Sequence, residues 1–306
     1  MIAKIAPHRR WGLGKRKALE GYLYISPFLL GFVLFILGPA LASAYVSLTD
    51  YNALSAPNFV GLANYIKAFR GDPLFWVSIG NTVYYAVIAV PLSLLGALGC
   101  AVLLNQRMKL RAAFRTMFFL PSITPIVAST LLWMWILNPD FGLLNYVLSM
   151  IGISGPKWLG STEWSKPALI LIYLWGSMGG GAMIIFLAGL QGVPHEMHES
   201  AAIDGANLWH RFTNITIPLL TPSIFFNLVL GLIGGLRVFT VAFVATNGGP
   251  SYATYFFILH LFNQAFLYLE MGYGSALAWI FTFFVLALTA VEFRLSDRWV
   301  YYAGQD

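Results

Sequence analysis

Residues 193–222 read VPHEMHESAAIDGANLWHRFTNITIPLLTP. Pro194 is suited to open a short helix, Glu196 and Glu199 favour its first turns, and Gly205 stands where that helix must end or turn sharply. Pro218 then opens a long apolar run. The stretch therefore predicts a helix, a turn at Gly205 and a second helical stretch, all set between two apolar segments. The acids Glu199 and Asp204 lie beside the small residues Ser200, Ala201, Ala202 and Ala206. Small side chains let another surface come close, and an acid there can form a charge-assisted pair with a basic group on it. A plain solvated connector would share these features, so the pattern alone leaves connector and docking element both open.

The rest of the chain supplies the setting. Its 306 residues are 58% hydrophobic and only 10% charged, with a mean hydropathy of +0.73. A soluble domain carries roughly 25% charged residues, so the solvent implied here is a bilayer. Apolar runs at 22–46, 77–104, 116–136, 167–190, 218–245 and 272–291 are each long enough to cross a hydrocarbon core of about 30 Å. The fold class expected is all-α and polytopic, with about six transmembrane helices. Pro91, Pro121, Pro125, Pro218 and Pro222 fall in or beside these runs and make kinked helices lining a cavity plausible. Ala40, Ala42 and Ala44 resemble a signal cleavage pattern, but the first run far exceeds an h-region of roughly 7 to 15 residues, so it reads as an uncleaved helix.

Of the 18 Lys and Arg residues, most fall on one side of this alternation. Lys4, Arg9, Arg10, Lys15, Arg16 and Lys17 lie before the first run. Arg107, Lys109, Arg111 and Arg115 follow the second, Arg211 precedes the fifth, and Arg294 and Arg298 are in the tail. The other side holds Lys67, Arg70, Lys157 and Lys166. By the positive-inside rule both termini and the connection 191–217 are cytoplasmic. The expected organisation is a basic arm 1–21, a membrane domain 22–295 with external segments 47–76, 137–166 and 247–271, and a tail 296–306. Cys100 is the single cysteine and sits in an apolar run, which excludes an intramolecular disulfide.

Glu199, Ala201, Gly205, Ile215 and Pro218 stand at the spacing of the EAA motif, and the chain is identified by it as resembling the permeases of ATP-binding-cassette importers. Ser200 replaces an Ala of that pattern and Ile217 a Leu. Further strings, SIGNTVYY at 78–85, FRTMFFLP at 114–121, FGLLNYVL at 141–148, LAGLQGVP at 187–194 and ATNGGPSYAT at 245–254, resemble the sugar-uptake branch over nearly the whole chain. The resemblance implies the type I importer permease fold. It also implies a bacterial inner-membrane location, a heterodimer with a second permease, two copies of a cytoplasmic ATPase, and an extracytoplasmic solute-binding protein that delivers the sugar. ATP and Mg would sit on the ATPase, with no cofactor on this chain, and residues 199–206 would be the coupling helix seated on that ATPase. A permease for a peptide or amino acid shares the motif and is the alternative within the class.

Candidates for the translocation path lie mainly in the fifth run. Gly231, Gly234, Gly235 and Val238 share one face of an ideal helix, which serves equally for close helix packing and for a roomy wall. Arg237, roughly 14 Å of helix from the near end, is a costly charge at membrane depth and must face a cavity or a partner. Trp175, Phe239 and Phe243 offer faces for sugar rings, and Asn81 and Asn263 offer amides. No Gly-Lys-Ser/Thr phosphate loop, no metal-spaced histidines and no nucleophile–base–acid set can be found, so an enzyme is not expected, nor a nucleic-acid partner. A secondary transporter would keep acids in mid-span, and none is present.

Overall fold

The computed structural model describes residues 11–106 and 108–301. Lys4, Arg9, Arg10 and Arg107 lie outside the described residues, as do the side chains of Lys15 and Arg16. The described chain is helical, and its only β pairing is an isolated bridge between Thr49 and Phe59. Among the described residues, four helical spans are long and apolar enough to cross a membrane: Glu20–Val46, Pro73–Asn105, Leu208–Ala245 and Met271–Ser296. Two bent pairs complete six, Arg111–Ile123 with Ile126–Ile136 at 96° and Ser165–Ser177 with Gly181–Gln191 at 49°. These six coincide with the six apolar runs.

The second span is the axis of the molecule. Asp72 caps it, its Oδ1 accepting from the amides of Leu74 at 2.9 Å and Phe75 at 3.3 Å, and Pro73 takes the first position, where no donor is needed. Its buried face carries Ala86, Ala89, Ser93, Ala97 and Ala101. Small side chains let the fourth and fifth spans approach closely, which is how helices associate when lipid offers no hydrophobic gradient. Arg111 closes the far end, donating from Nε to the Leu104 carbonyl at 2.7 Å, where a helix C-terminus favours a cation.

The kinks have distinct causes. Thr124 precedes Pro125 and is held extended at ψ 131°, which breaks the third span. Pro91, Pro121 and Pro222 instead stay inside continuous helices. The fourth span breaks at Met178–Gly180. There the backbone of Gly179 lies so close to the Phe118 carbonyl of the third span that any Cβ would overlap it. The fifth span stops being regular at Leu236 and resumes at Thr240–Ala245. One aliphatic and aromatic cluster, including Tyr85, Leu169, Val241, Ala242 and Phe256, joins the second, fourth and fifth spans. The first span is the exception. Among the described residues none of its most apolar stretch is buried, and it is anchored at its end, where Trp279 donates to Ser43 Oγ at 3.2 Å.

Candidate functional site

Two features stand at opposite ends of the six-span alternation. At one end the helix His195–Ile203 projects between the fourth and fifth spans. It ends in a Schellman motif: the Ala206 amide reaches back to the Ala201 carbonyl at 2.9 Å and the Gly205 amide to the Ala202 carbonyl at 3.1 Å. Gly205 makes this possible with φ +79°, a conformation that costs other residues about 1–2 kcal/mol. Asn207 then caps the next helix, accepting from the His210 amide at 2.8 Å. The turn read at Gly205 is thus a double-capped corner, and Arg211 ties it back by donating to the His198 carbonyl at 3.5 Å.

The corner is bare. Glu199, Ser200, Ala202, Asp204 and Gly205 are exposed, and Ala201 and Ala206 partly so. Three large apolar residues that the sequence reading passed over stand out with them: Ile203 is 88% exposed, Leu208 78% and Trp209 69%. Ile203 ends one helix and Leu208 and Trp209 begin the next, so apolar side chains flank the Gly205 corner. The signal was available, since these are apolar residues in a segment otherwise read as polar and small.

Nearer the other end, the irregular stretch Arg237–Phe239 divides the fifth span. Arg237 caps the helix Ile217–Leu236, its amide donating to the Gly234 carbonyl at 3.2 Å, and its side chain is exposed. The free carbonyls of a helix C-terminus favour a cation at that place. Phe239 stacks on Phe243 with ring centroids 5.3 Å apart, and Phe262 of the helix Phe257–Phe262 packs on both at 5.1 and 5.5 Å. Phe262 was not foreseen, because it reaches the cluster only through the fold. Asn263 follows it and donates from Nδ2 to the Tyr255 hydroxyl at 3.3 Å.

Other candidates are placed differently. The glycine face is not a single wall. A Cβ on Gly231 or Gly235 would lie 2.8 or 2.7 Å from Val90 of the second span, whereas Gly234 meets nothing within 4 Å. Because the helix ends at Leu236, Val238 falls out of register and is buried in the core. Asn81 is committed within the chain: its Nδ2 donates to the carbonyls of Tyr252 and Tyr255 at 2.8 and 3.3 Å, and its Oδ1 accepts from Lys166 Nζ at 3.0 Å. The amide offered as a solute ligand is thus engaged by the chain's own groups. Trp175 packs edge-on against Trp133 at 6.0 Å and lines a separate cavity of about 340 Å³ with Cys100, Met117 and Phe118.

Residues 89–299 match the family model described as binding-protein-dependent transport system inner membrane component. The chain is 40% identical to the probable ABC transporter permease protein YesP of Bacillus subtilis, covering 95% of each. It is 35% identical to the trehalose/maltose transport system permease protein MalF of Thermococcus litoralis, over 92% of this chain and 95% of the relative. Among solved structures, a chain of a bacterial alginate ABC transporter in complex with an alginate pentasaccharide-bound periplasmic protein superposes with a TM-score of 0.82 at 23% identity, covering 95% of this chain and 98% of that one.

Proposed function

Because the chain belongs to the inner-membrane components of binding-protein-dependent transport systems, we propose that it forms half of the translocation path of an ATP-driven carbohydrate importer. The relatives named for trehalose and maltose, and for lactose at 32% identity, support a sugar as solute. The observation that carries the coupling half of the reading is the double-capped, exposed corner at Gly205. Its geometry is fixed by backbone hydrogen bonds, yet Ile203, Leu208 and Trp209 stay largely exposed among the described residues. An apolar corner flanked by Glu199 and Asp204 suits a cytoplasmic ATPase subunit that offers a hydrophobic cleft rimmed by basic groups. ATP and Mg belong to that subunit.

In this reading residues 191–217 and both termini face the cytoplasm, and 47–76, 137–166 and 247–271 face outward toward a solute-binding protein. A second permease completes the path and packs on the exposed apolar flank of the first span. ATP binding draws the two coupling helices together, and the spans rock to open the cavity outward. Hydrolysis returns it inward. Arg237, Gly234, Phe239, Phe243, Phe262 and Asn263 line the path. The rings give flat apolar faces to a sugar, and the guanidinium and amide give hydrogen bonds to its hydroxyls.

The test is reconstitution with the companion permease, ATPase and binding protein. Uptake of sugar that requires ATP is expected, together with ATPase activity stimulated by loaded binding protein and lost in Glu199→Lys. Uptake that persists without ATP, or full stimulation of the Glu199→Lys complex, overturns the assignment. A thermal-shift screen of the binding protein identifies the sugar, since a ligand of the folded state raises apparent stability.

A further inference from the structure

A file of polar side chains links the cap of the second span to Asn263. Asp72 spends Oδ1 on the amides of the cap, while its Oδ2 accepts from the Tyr273 hydroxyl at 2.7 Å and lies 2.9 Å from His260 Nε2. That last contact is bent away from hydrogen-bond geometry and acts chiefly as an electrostatic one. His260 is completely buried, and its Nδ1 is 3.3 Å from the Tyr255 hydroxyl, which in turn receives the Asn263 amide. Lys67 pairs with Glu270 and sits 4.2 Å over the Tyr273 ring. The groups that bear on His260 are therefore Asp72, Tyr255, Tyr273 and Lys67, the last with its partner Glu270.

The Asp72 carboxylate oxygen 2.9 Å from His260 Nε2 favours, by its charge, the tautomer that carries the hydrogen on Nε2, even though the contact is bent. In the neutral ring Nδ1 is then a lone pair, and Tyr255 must donate to it. The Tyr255 oxygen is left as an acceptor, which takes an N–H of Asn263 and leaves Asn263 Oδ1 uncommitted among the described residues. A charged His260 reverses this order. Its Nδ1–H then points at the Tyr255 oxygen, the hydroxyl proton turns away, and Asn263 meets a donor that favours its Oδ1. The amide turns over.

We propose that Asp72, His260 and Tyr255 are positioning residues that determine which end of the Asn263 amide faces the solute, an acceptor when His260 is neutral and a donor when it is charged. The inference rests on the reading that Asn263 lines the path. Burial holds the His260 imidazole below its ordinary value of about 6.5, outweighing the pull of Asp72, with Lys67 acting in the same direction as burial. The neutral arrangement is accordingly the resting one at neutral pH.

The experiment is uptake by the complete importer in proteoliposomes with the inner pH fixed and the outer pH varied from about 8 to 4.5. The wild-type protein and Tyr255→Phe are compared with the same loaded binding protein, so that its own pH response cancels in their ratio. The apparent KM of the wild-type complex is expected to rise relative to Tyr255→Phe by about fivefold, the worth of roughly one hydrogen bond, at a midpoint below 6.5. The maximal rate should move far less. A ratio that stays flat overturns the proposal. Nitrogen-15 NMR gives a second readout, with His260 expected as the Nε2–H tautomer at pH 7.5; the Nδ1–H tautomer refutes the relay. If Asn263→Ala leaves KM unchanged, the path reading of Asn263 fails, and the role assigned to the relay falls with it. The tautomer then tells whether the hydrogen-bond order itself was read correctly.

Discussion

Lys166 at the start of the fourth span donates to Asn81 of the second at 3.0 Å, and the same Asn81 amide holds the backbone at Tyr252 and Tyr255. Three elements distant in sequence thus meet on one side chain. Thr82 adds a neighbouring clamp, its hydroxyl accepting from the Phe257 amide at 2.9 Å. The turn that follows the fifth span has Asn247, Gly248, Ser251 and Tyr252 at positive φ, so it depends on these outside holds. Asn81→Ala would remove the side-chain donor of the Tyr255 carbonyl, one of the two donors of the Tyr252 carbonyl and the amide oxygen that meets Lys166, at a cost of about 2 kcal/mol or more. A fall of several degrees in the apparent Tm of the purified chain is expected, with Asn81→Gln no better because its longer arm cannot hold the same three groups.

Local reading located all six spans and the corner at Gly205, because each is written in composition or in the stereochemistry of one residue, but it did not tell Pro125, which breaks its span, from Pro91, Pro121 and Pro222, which do not. The break at Gly179 was not read, although Gly176, Gly179, Gly180 and Gly181 stand within two turns, and its cause, the Phe118 carbonyl, lies in another span. Asn81 and the Asp72–His260 contact were not legible. Their partners are far away along the chain, and a buried amide or imidazole looks the same in sequence whether it meets solute or backbone.

Gly205 gives a sharper test of the corner than any charge change. Gly205→Ala must hold a left-handed residue at about 1–2 kcal/mol or lose the two bonds to Ala201 and Ala202. Asn tolerates that conformation better. In the reconstituted complex, ATPase stimulation by loaded binding protein should drop strongly in Gly205→Ala and recover in part in Gly205→Asn. Equal behaviour of the two would show that the corner's shape does not matter to coupling.

Arg237 sits at a helix end with its side chain exposed, and a cation at that depth is costly unless it meets water, solute or a partner. Arg237→Gln is expected to reduce sugar uptake by about tenfold, corresponding to loss of roughly one charge-assisted hydrogen bond, or to weaken assembly with the companion permease. Uptake and co-purification measured together separate the two, and unchanged values of both would remove Arg237 from the path.

His260 also makes a stability prediction with a definite sign. Its folded pKa lies below the unfolded value, so the contribution is fully present above about pH 6.5 and is lost as the pH falls toward the lowered folded pKa. Apparent Tm should therefore decline on acidification through that window. His260→Gln, which cannot titrate there, should show a shallower decline whatever its starting Tm.

Gly234 and Gly235 are neighbours with opposite surroundings. A Cβ on Gly235 would stand 2.7 Å from Val90 Cγ2 and 3.6 Å from Ala86 Cα, while one on Gly234 meets nothing within 4 Å. Val90 is β-branched and stiff at χ1, so Gly235→Ala must separate the second and fifth spans slightly, at about 1–3 kcal/mol. Gly234→Ala should instead be neutral or gain about 0.5–1 kcal/mol from helix preference. Adding Val90→Ala should restore most of what Gly235→Ala loses, because it removes the atom in the way. Thermal unfolding of the parent and the three variants measures this, and a Gly235→Ala protein as stable as the parent would mean that the glycine opens onto space rather than onto Val90.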